Sequence, residues 1–167
     1  MTELGHQQAE KLAEVLPQAN KIMISPYLRT LQTAQPLLNR DGLEAEILQI
    51  QEFSYLSDLK CKGTTLSQRK PWVDAYWQYL DIDYLDAEDA ETFRDFYQRV
   101  QALHHLLKTI QADYQTENLM IFSHGQFLQL FKMLSEKDSA LSADLMHEFR
   151  QNMLHQPIEN TEFLIYG

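Results

Sequence analysis

Short apolar runs alternate along this chain with longer stretches in which apolar residues recur every three or four positions. The short runs predict four β-strands, at residues 21–24, 46–50, 119–122 and 161–166. The clearest helical stretch places six apolar side chains on one face: Phe93, Phe96, Val100, Leu103, Leu107 and Ile110. Because strands alternate with helices, the pattern predicts a three-layer α/β fold, with helices on both faces of a mostly parallel sheet.

Residues with strong terminal preferences set the ends of the first two predicted helices. Thr2 is a suitable N-cap for the first helix, and Pro17 ends it. Ser25 and Pro26 predict the start of the second helix, with Ser25 as the N-cap and Pro26 at the first helical position. Gly42 is expected to end that helix, since glycine readily adopts the left-handed conformation found after a helix C-terminus.

Residues 52–88 interrupt this regular alternation. Seven aromatic and four basic residues are mixed there with Gly63 and Pro71, and no helical period is sustained. We predict an irregular, partly helical insertion, and insertions of this length in a compact domain often form a lid or a binding wall. The 167 residues contain no repeat, linker or low-complexity tract, so we expect residues 1–167 to form one domain that carries this insertion.

Composition and charge exclude several classes of protein. The formal net charge is −10, from 24 acidic and 14 basic residues. A nucleic acid or an anionic membrane surface requires a basic face, so we expect neither partner. The single cysteine, Cys61, excludes a disulfide framework and a cysteine-rich metal site, and it favours a reducing, cytoplasmic setting. We expect no metal ion and no other cofactor.

Polar side chains suited to phosphate chemistry follow three of the predicted strands. Ser25 and Arg29 follow the first, Glu52 follows the second, and His124 follows the third. Ligands of parallel sheets bind where the carboxyl ends of the strands meet. A helix N-terminus with an arginine suits a phosphate, a histidine can be nucleophile, acid or anion ligand, and a buried glutamate can donate a proton. Taken singly, each residue also fits a structural role in a cap, a turn or the solvated surface.

These residues lie in motifs that resemble the histidine phosphatase superfamily, whose fold is that of the phosphoglycerate mutases. Residues 25–34, SPYLRTLQTA, resemble the family signature S-P-x-x-R-x-x-Q-T-A, and residues 2–9 resemble its T-E-x-G-x-x-Q-A helix start. Ser123-His124-Gly125 matches the motif of the second catalytic histidine, Glu52 stands where the family has its acid, and Glu91-Thr92-Phe93 resembles a helix entry. The resemblance covers nearly the whole chain in the family's order.

The resemblance implies a phosphohistidine mechanism, in which a first histidine takes the phosphoryl group, an acid protonates the leaving oxygen, and water cleaves the intermediate. It assigns catalytic roles to Arg29 and His124, which would hold the phosphoryl group, and to Glu52 as proton donor. The expected substrate-binding residues are Arg29, Ser25, Gly125, Gln126, Tyr55 and Trp77. The expected partner is a small phosphorylated substrate, and the short insertion favours a phosphatase over a mutase.

One family motif has no counterpart here. The family's nucleophile lies in an Arg-His-Gly tripeptide at the end of a first strand, and the sequence contains neither. We therefore expect the sheet to lack this central strand, and residues 1–167 to have negligible phosphatase activity. The gap would leave a groove or be filled by self-association into a homo-oligomer.

Three interpretations of the missing motif remain open. The chain is a fragment, or a product started too late, of an active phosphomonoester hydrolase; a noncatalytic relative that binds phosphate compounds or a protein; or an inherited scaffold without a ligand. We favour the first, because loss of a central strand leaves backbone groups unpaired. A phosphoglycerate-mutase-type phosphotransferase is the remaining enzymatic alternative.

Overall fold

A computed structural model of the chain describes residues 1–113 and 118–166. Within these residues, three β-strands and seven α-helices follow one another. They are α1 (Glu3–Val15), β1 (Lys21–Ile24), α2 (Leu28–Asp41), β2 (Ala45–Ile47), α3 (Asp58–Cys61), α4 (Leu66–Tyr79), α5 (Phe93–Asp113), β3 (Leu119–Phe122), α6 (Gly125–Glu136) and α7 (Ala143–His155). No helix in the described ranges is long and apolar enough to cross a membrane.

The strands form one open, entirely parallel sheet in the order β2-β1-β3. The last residue of β1, Ile24, is in register with Ile47 of β2 and with Phe122 of β3. The carboxyl ends of all three strands therefore lie at one end of the sheet. The predicted α/β fold with a parallel sheet is confirmed, and within the described residues β3 is an edge strand.

Helices cover both faces of the sheet. On one face, α1 and α2 pack against apolar side chains of β1 and against Met120 and Phe122 of β3. On the other face, α5, α6 and α7 enclose a core in which Phe96, Phe127 and Phe149 are fully buried. Burial of such a side chain contributes roughly 1.5–3 kcal/mol, so the aromatic layer is a main source of stability.

The predicted ends of α1 and the predicted end of α2 are confirmed, and a serine also caps α7. The Thr2 hydroxyl accepts a hydrogen bond from the Gly5 amide at 3.2 Å, and α1 ends two residues before Pro17. Gly42 follows α2 with a φ of 69°, a left-handed conformation that favours glycine. At the start of α7, the Ser142 side chain accepts from the Leu145 amide. Local chemistry determined these ends.

The predicted start of α2 at Ser25-Pro26 is wrong. The N-cap is Tyr27, whose side chain makes no capping hydrogen bond, and the helix begins at Leu28. The Ser25 hydroxyl is instead 2.7 Å from a ring nitrogen of His124, so it is engaged by a residue far away in the sequence. A tertiary partner has replaced the capping role that local sequence predicted.

Two predicted strands also differ from the structure. The second strand ends at Ile47 rather than residue 50, because the chain turns where the Ile50 amide donates to the Leu48 carbonyl at 2.9 Å. Residues 161–166 are irregular rather than a strand, because no strand in the described chain pairs with them. The apolar side chain of Ile165 there is 91% exposed.

The insertion at residues 52–88 contains α3 and α4 and packs onto the aromatic core. Thr65 and Gln68 form a reciprocal capping box at the start of α4. Tyr76 and Trp77, at the end of α4, are buried in the core with residues of α5 and α7. Asp86 anchors α3, since it accepts hydrogen bonds from the Ser57 amide at 3.0 Å and from Lys60 at 2.6 Å.

Candidate active site

A cleft of about 820 Å³ opens where the chain leaves β1 and β2. Arg29 and Glu52 line it on the sheet side, while Tyr55, Leu66 and Val73 contribute to its walls. The sequence placed Arg29 and Glu52 after successive strands, and the parallel sheet brings both to the same cleft. The cleft therefore combines a cation, a carboxyl group and apolar walls.

His124 lies directly beyond β3, is only 6% exposed and has both ring nitrogens hydrogen-bonded. The Arg29 Nε donates to His124 Nδ1 at 3.0 Å, so Nδ1 carries no proton. A neutral ring then has its proton on Nε2, which donates to Ser25 Oγ at 2.7 Å. The arginine thus selects the tautomer of the histidine.

The hydrogen bond from His124 continues into a buried chain of hydroxyl groups. Ser25 Oγ lies 2.9 Å from Thr30 Oγ1, and the Thr30 hydroxyl donates to the Tyr27 carbonyl at 2.7 Å. Ser25 is fully buried and Thr30 is 4% exposed. Since the Thr30 proton is used toward the carbonyl, Ser25 donates to Thr30 and accepts from His124. Each hydroxyl is satisfied, which holds the imidazole ring in one orientation.

Burial and nearby cations keep His124 neutral. Burial is the largest cause, and the positive charges of Arg29 and Arg99 add to it, lowering the pKa of His124 to about 4. A neutral imidazole in contact with an arginine can accept a proton only when an anion compensates the added charge. A phosphoryl group bound beside Arg29 is an anion of that kind.

Glu52 lies beside the start of α6 rather than at the end of β2. Its Oε1 accepts a hydrogen bond from the Gln126 amide at 3.0 Å, within the first turn of that helix. Burial raises the pKa of Glu52, although the Gln126 amide and the charges of Arg29 and Arg99 oppose this effect. A carboxyl group with a raised pKa is suited to donate a proton near neutral pH.

Arg99, on α5, is a charged residue behind the site that sequence reasoning does not single out. Its Nε and Nη2 donate to the two carboxylate oxygens of Glu91 at 2.6 and 2.7 Å, and both side chains are 17% exposed. Its Nη1 donates to the carbonyls of Gln49 and Gln51, just before Glu52. The Glu91-Thr92-Phe93 motif indicated this helix entry, but no local pattern indicated its arginine partner.

Of the other expected substrate-binding residues, Tyr55 lies in the cleft, Gly125 and Gln126 lie at the start of α6, and Trp77 lies in the core. Tyr55 lines the cleft, whereas Trp77 is buried in the aromatic core, 6.0 Å from the ring of Phe149, and does not line it. Gly125 and Gln126 form the first turn of α6, and the Gln126 amide is already bonded to Glu52. Thus Ser25, Arg29, Glu52, His124 and Gln126 are brought together, and Trp77 is set apart from them.

The five other histidines of the sequence lie on helices away from the strand ends, on α1, α5 and α7: His6, His104, His105, His147 and His155. The ring of His104 is buried, bonded to the Phe131 carbonyl at 3.1 Å and stacked on the Phe131 ring. Among the described residues, no group of three or more His, Cys, Asp or Glu side chains is arranged to hold a metal ion.

Comparison with known proteins agrees with this arrangement. The sequence profile of the histidine phosphatase superfamily (branch 1) matches residues 1–152. The alpha-ribazole phosphatase from Shigella flexneri superposes with a TM-score of 0.69 at 21% identity, covering 96% of this chain and 74% of that one. A mycobacterial glucosyl-3-phosphoglycerate phosphatase superposes with a TM-score of 0.64 at 23% identity, covering 87% of this chain and 72% of that one.

A further solved structure, named mycobacterial hydrolase 1, has a TM-score of 0.65 at 25% identity and covers 87% of this chain and 72% of its own. The curated proteins contain no match. Structural likeness at identities of 21% and 23% supports the fold alone, whereas the profile match extends over most of the sequence. The chain belongs to the histidine phosphatase superfamily.

Proposed function

We propose that this protein binds the phosphoryl group of a small phosphomonoester and serves the phosphatase chemistry of its family. The observation that carries the proposal is the direct contact between Arg29 and His124, 95 residues apart in sequence, in a site that also contains Glu52. These residue types supply what phosphoryl transfer requires, namely fixed positive charge and a proton for the leaving oxygen.

Each of the three residues has a distinct role in the proposed chemistry. Arg29 holds two phosphoryl oxygens, because its planar guanidinium group can donate two parallel N–H hydrogen bonds to two oxygens of one phosphate. When the phosphoryl group binds, Arg29 turns toward it and releases Nδ1 of His124. His124 then takes up a proton and donates to a third oxygen, while Glu52 protonates the leaving oxygen.

The family's phosphohistidine intermediate requires a nucleophile other than His124. Before a ligand binds, His124 Nδ1 accepts from Arg29 and Nε2 donates to Ser25. Once the phosphoryl group has bound, the added proton occupies Nδ1, so in neither state is a ring nitrogen free to attack. The Arg-His-Gly tripeptide of the family is absent from the sequence. We therefore propose that residues 1–167 alone bind phosphate without hydrolysing an ester, and that turnover needs a histidine from outside them. The same observation favours the noncatalytic relative as the second candidate.

The walls of the cleft suggest the class of substrate. Its volume of about 820 Å³ exceeds the needs of a phosphoryl group, and Tyr55, Leu66 and Val73 make part of it apolar. We propose a phosphate ester with an apolar or aromatic portion that contacts Tyr55. Trp77 meets the Tyr55 ring edge-on at 5.2 Å, and we propose that it acts through Tyr55. We propose that the backbone of Gly125, at the first turn of α6, also contacts the ligand.

Binding of sulfate, a dianion that mimics phosphate, tests the proposal in the chain as it is. Heteronuclear NMR titration should show saturable shifts at Arg29, His124 and Gly125. Arg29→Met should weaken binding by about tenfold or more, because a charge-assisted pair contributes roughly 1.5–3 kcal/mol. The matched control is Arg94→Met, which removes an exposed arginine paired with Asp83 and should leave sulfate affinity unchanged.

A turnover assay separates the enzymatic outcomes. We expect residues 1–167 to release no phosphate from p-nitrophenyl phosphate while still binding sulfate. Release that is abolished by His124→Ala would overturn the proposed need for an outside nucleophile. Absence of both sulfate binding and turnover would overturn the proposed function and would favour the third interpretation, an inherited scaffold without a ligand.

A further inference from the structure

The guanidinium group of Arg99 lies against two neighbouring aromatic rings in the candidate site. Its guanidinium carbon lies 5.4 Å from the ring centre of Phe96 and 5.5 Å from that of Phe127. Four hydrogen bonds join it to Glu91 and to the carbonyls of Gln49 and Gln51. A half-buried ion pair of this kind often adds little net stability, because desolvation offsets the attraction. Its placement therefore suggests a role besides stability.

The segment that Arg99 grips is the irregular chain between β2 and the insertion. Arg99 Nη1 lies 3.0 Å from the Gln49 carbonyl and 3.2 Å from the Gln51 carbonyl. The Ile50 carbonyl between them accepts from Ser123 Oγ at 2.6 Å, next to His124. Three successive carbonyls are thus held just before Glu52, by side chains of α5 and of the loop after β3.

Glu91, the partner of Arg99, holds the chain on the other side of Glu52. The Glu91 amide donates to the Ser54 carbonyl at 2.9 Å. The ion pair therefore ties both flanks of Glu52 to the entry of α5. No strand or helix constrains residues 48–57. The position of Glu52 is therefore set by these hydrogen bonds together with the buried side chains of Ile50 and Phe53.

We propose that Arg99 is a positioning residue, which clamps residues 49–54 so that the Glu52 carboxyl group stays buried against the Gln126 amide. The inference rests on the proposed role of Glu52 in the function above. It deepens that role, because a proton donor is useful only if its carboxyl group is held at a fixed place in the site.

A purely electrostatic role for Arg99 makes the opposite prediction for Glu52. The charged groups that face Glu52 are Arg29 on α2 and Arg99 on α5. If Arg99 acts only by charge, its removal raises the pKa of Glu52. If Arg99 clamps the segment, its removal exposes Glu52 to water, and the pKa falls because burial is the main cause of its elevation.

The test is a pH titration of the Glu52 carboxyl carbon by NMR, assigned with Glu52→Gln, in the full chain. Arg99→Met should lower the pKa of Glu52 toward that of an exposed glutamate. Arg99→Lys keeps the charge but loses the planar fork, so it should also lower this pKa. Arg94→Met is the matched control, since Arg94 lies on the same helix with an exposed paired acid, and it should change nothing.

Hydrogen exchange gives a second measurement of the same clamp. Loss of the Glu52 contact should speed exchange of the Gln126 amide by about tenfold, because Glu52 is the hydrogen-bond acceptor of that amide. An unchanged or raised pKa of Glu52 in Arg99→Lys would overturn the proposal, even if Arg99→Met fails to fold. Neither measurement depends on turnover, so a failed sulfate titration would count against the proposed function and leave this result standing.

Discussion

The imidazole of His124 is held by a directed chain of hydrogen bonds that begins at Arg29 and ends at a backbone carbonyl. The arginine donates to Nδ1, the ring donates to Ser25, and Ser25 donates to Thr30. This order selects the neutral tautomer and fixes the ring plane before any ligand binds. A side chain held in advance costs less entropy when the ligand arrives.

His124 should make the stability of the protein depend on pH between its unfolded and folded pKa values. The folded pKa is about 4, against 6.5 for an unperturbed histidine. The unfolded chain binds the proton more readily, so this contribution is complete above pH 6.5 and is lost as the pH falls toward 4. Its full size is up to about 3 kcal/mol.

Urea unfolding at a series of pH values measures this contribution. The wild-type free energy of unfolding should fall more steeply than that of His124→Gln as the pH decreases from 6.5 to 4. The carboxylates titrate in both proteins, so the difference between the two curves isolates the histidine. Parallel curves would show that His124 is not held neutral.

Among the secondary-structure elements, the helices of the insertion at residues 52–88 are held by side-chain hydrogen bonds rather than by strand pairing. The side chain of Asp86 is 3% exposed and binds both Lys60 and the Ser57 amide. By contrast, Asp74 pairs with Lys70 within one helix, and its side chain is 55% exposed. The two acids offer the same chemistry in two environments.

Asp86→Ala should destabilise the insertion, whereas Asp74→Ala should not. Loss of Asp86 leaves a buried amide unpaired, which costs roughly 1–3 kcal/mol, while an exposed pair contributes about 0.5 kcal/mol or less. Limited proteolysis between residues 57 and 65, together with urea unfolding, measures both effects. Equal sensitivity of the two variants would contradict the assigned anchor.

At the scale of the whole molecule, the main feature is the outer edge of β3, with which no strand among the described residues pairs. The carbonyl groups of Asn118 and Phe122 accept hydrogen bonds from the backbone amides of Asn20 and Ser25, the two residues that flank β1. Because backbone groups alternate in direction along a strand, those of residues 119 and 121 point away from β1. Unpaired groups of this kind can pair with a strand from another molecule.

We expect residues 1–167 to self-associate through this edge, more strongly at high salt. The net charge of −10 opposes association, and salt screens that repulsion. Leu119→Pro removes an outward N–H at the first position of the strand, where proline is tolerated, and should weaken association. Leu119→Ala keeps the N–H and serves as the control. A monomer at every concentration in sedimentation velocity would leave the edge as an open groove.

The amino-acid sequence by itself determined the elements whose signals are local. The apolar runs of β1 and β3, the periodic face of α5 and the caps at Thr2 and Ser142 depend on neighbouring residues, and all are present. The order of polar residues after successive strands also placed Arg29 and Glu52 at one cleft, since parallel strands bring their ends together.

Only the tertiary structure decided the features that depend on distant partners. Ser25 does not cap α2, because its hydroxyl group is hydrogen-bonded to His124, 99 residues away. Arg99 donates to a carbonyl group 50 residues before it in the sequence. Residues 161–166 have a strand-like pattern, but no strand in the described part of the chain lies beside them. Trp77 packs into the core instead of the cleft. A hydrogen bond or a strand pairing needs a partner in space, and local sequence does not specify which partner the folded chain supplies.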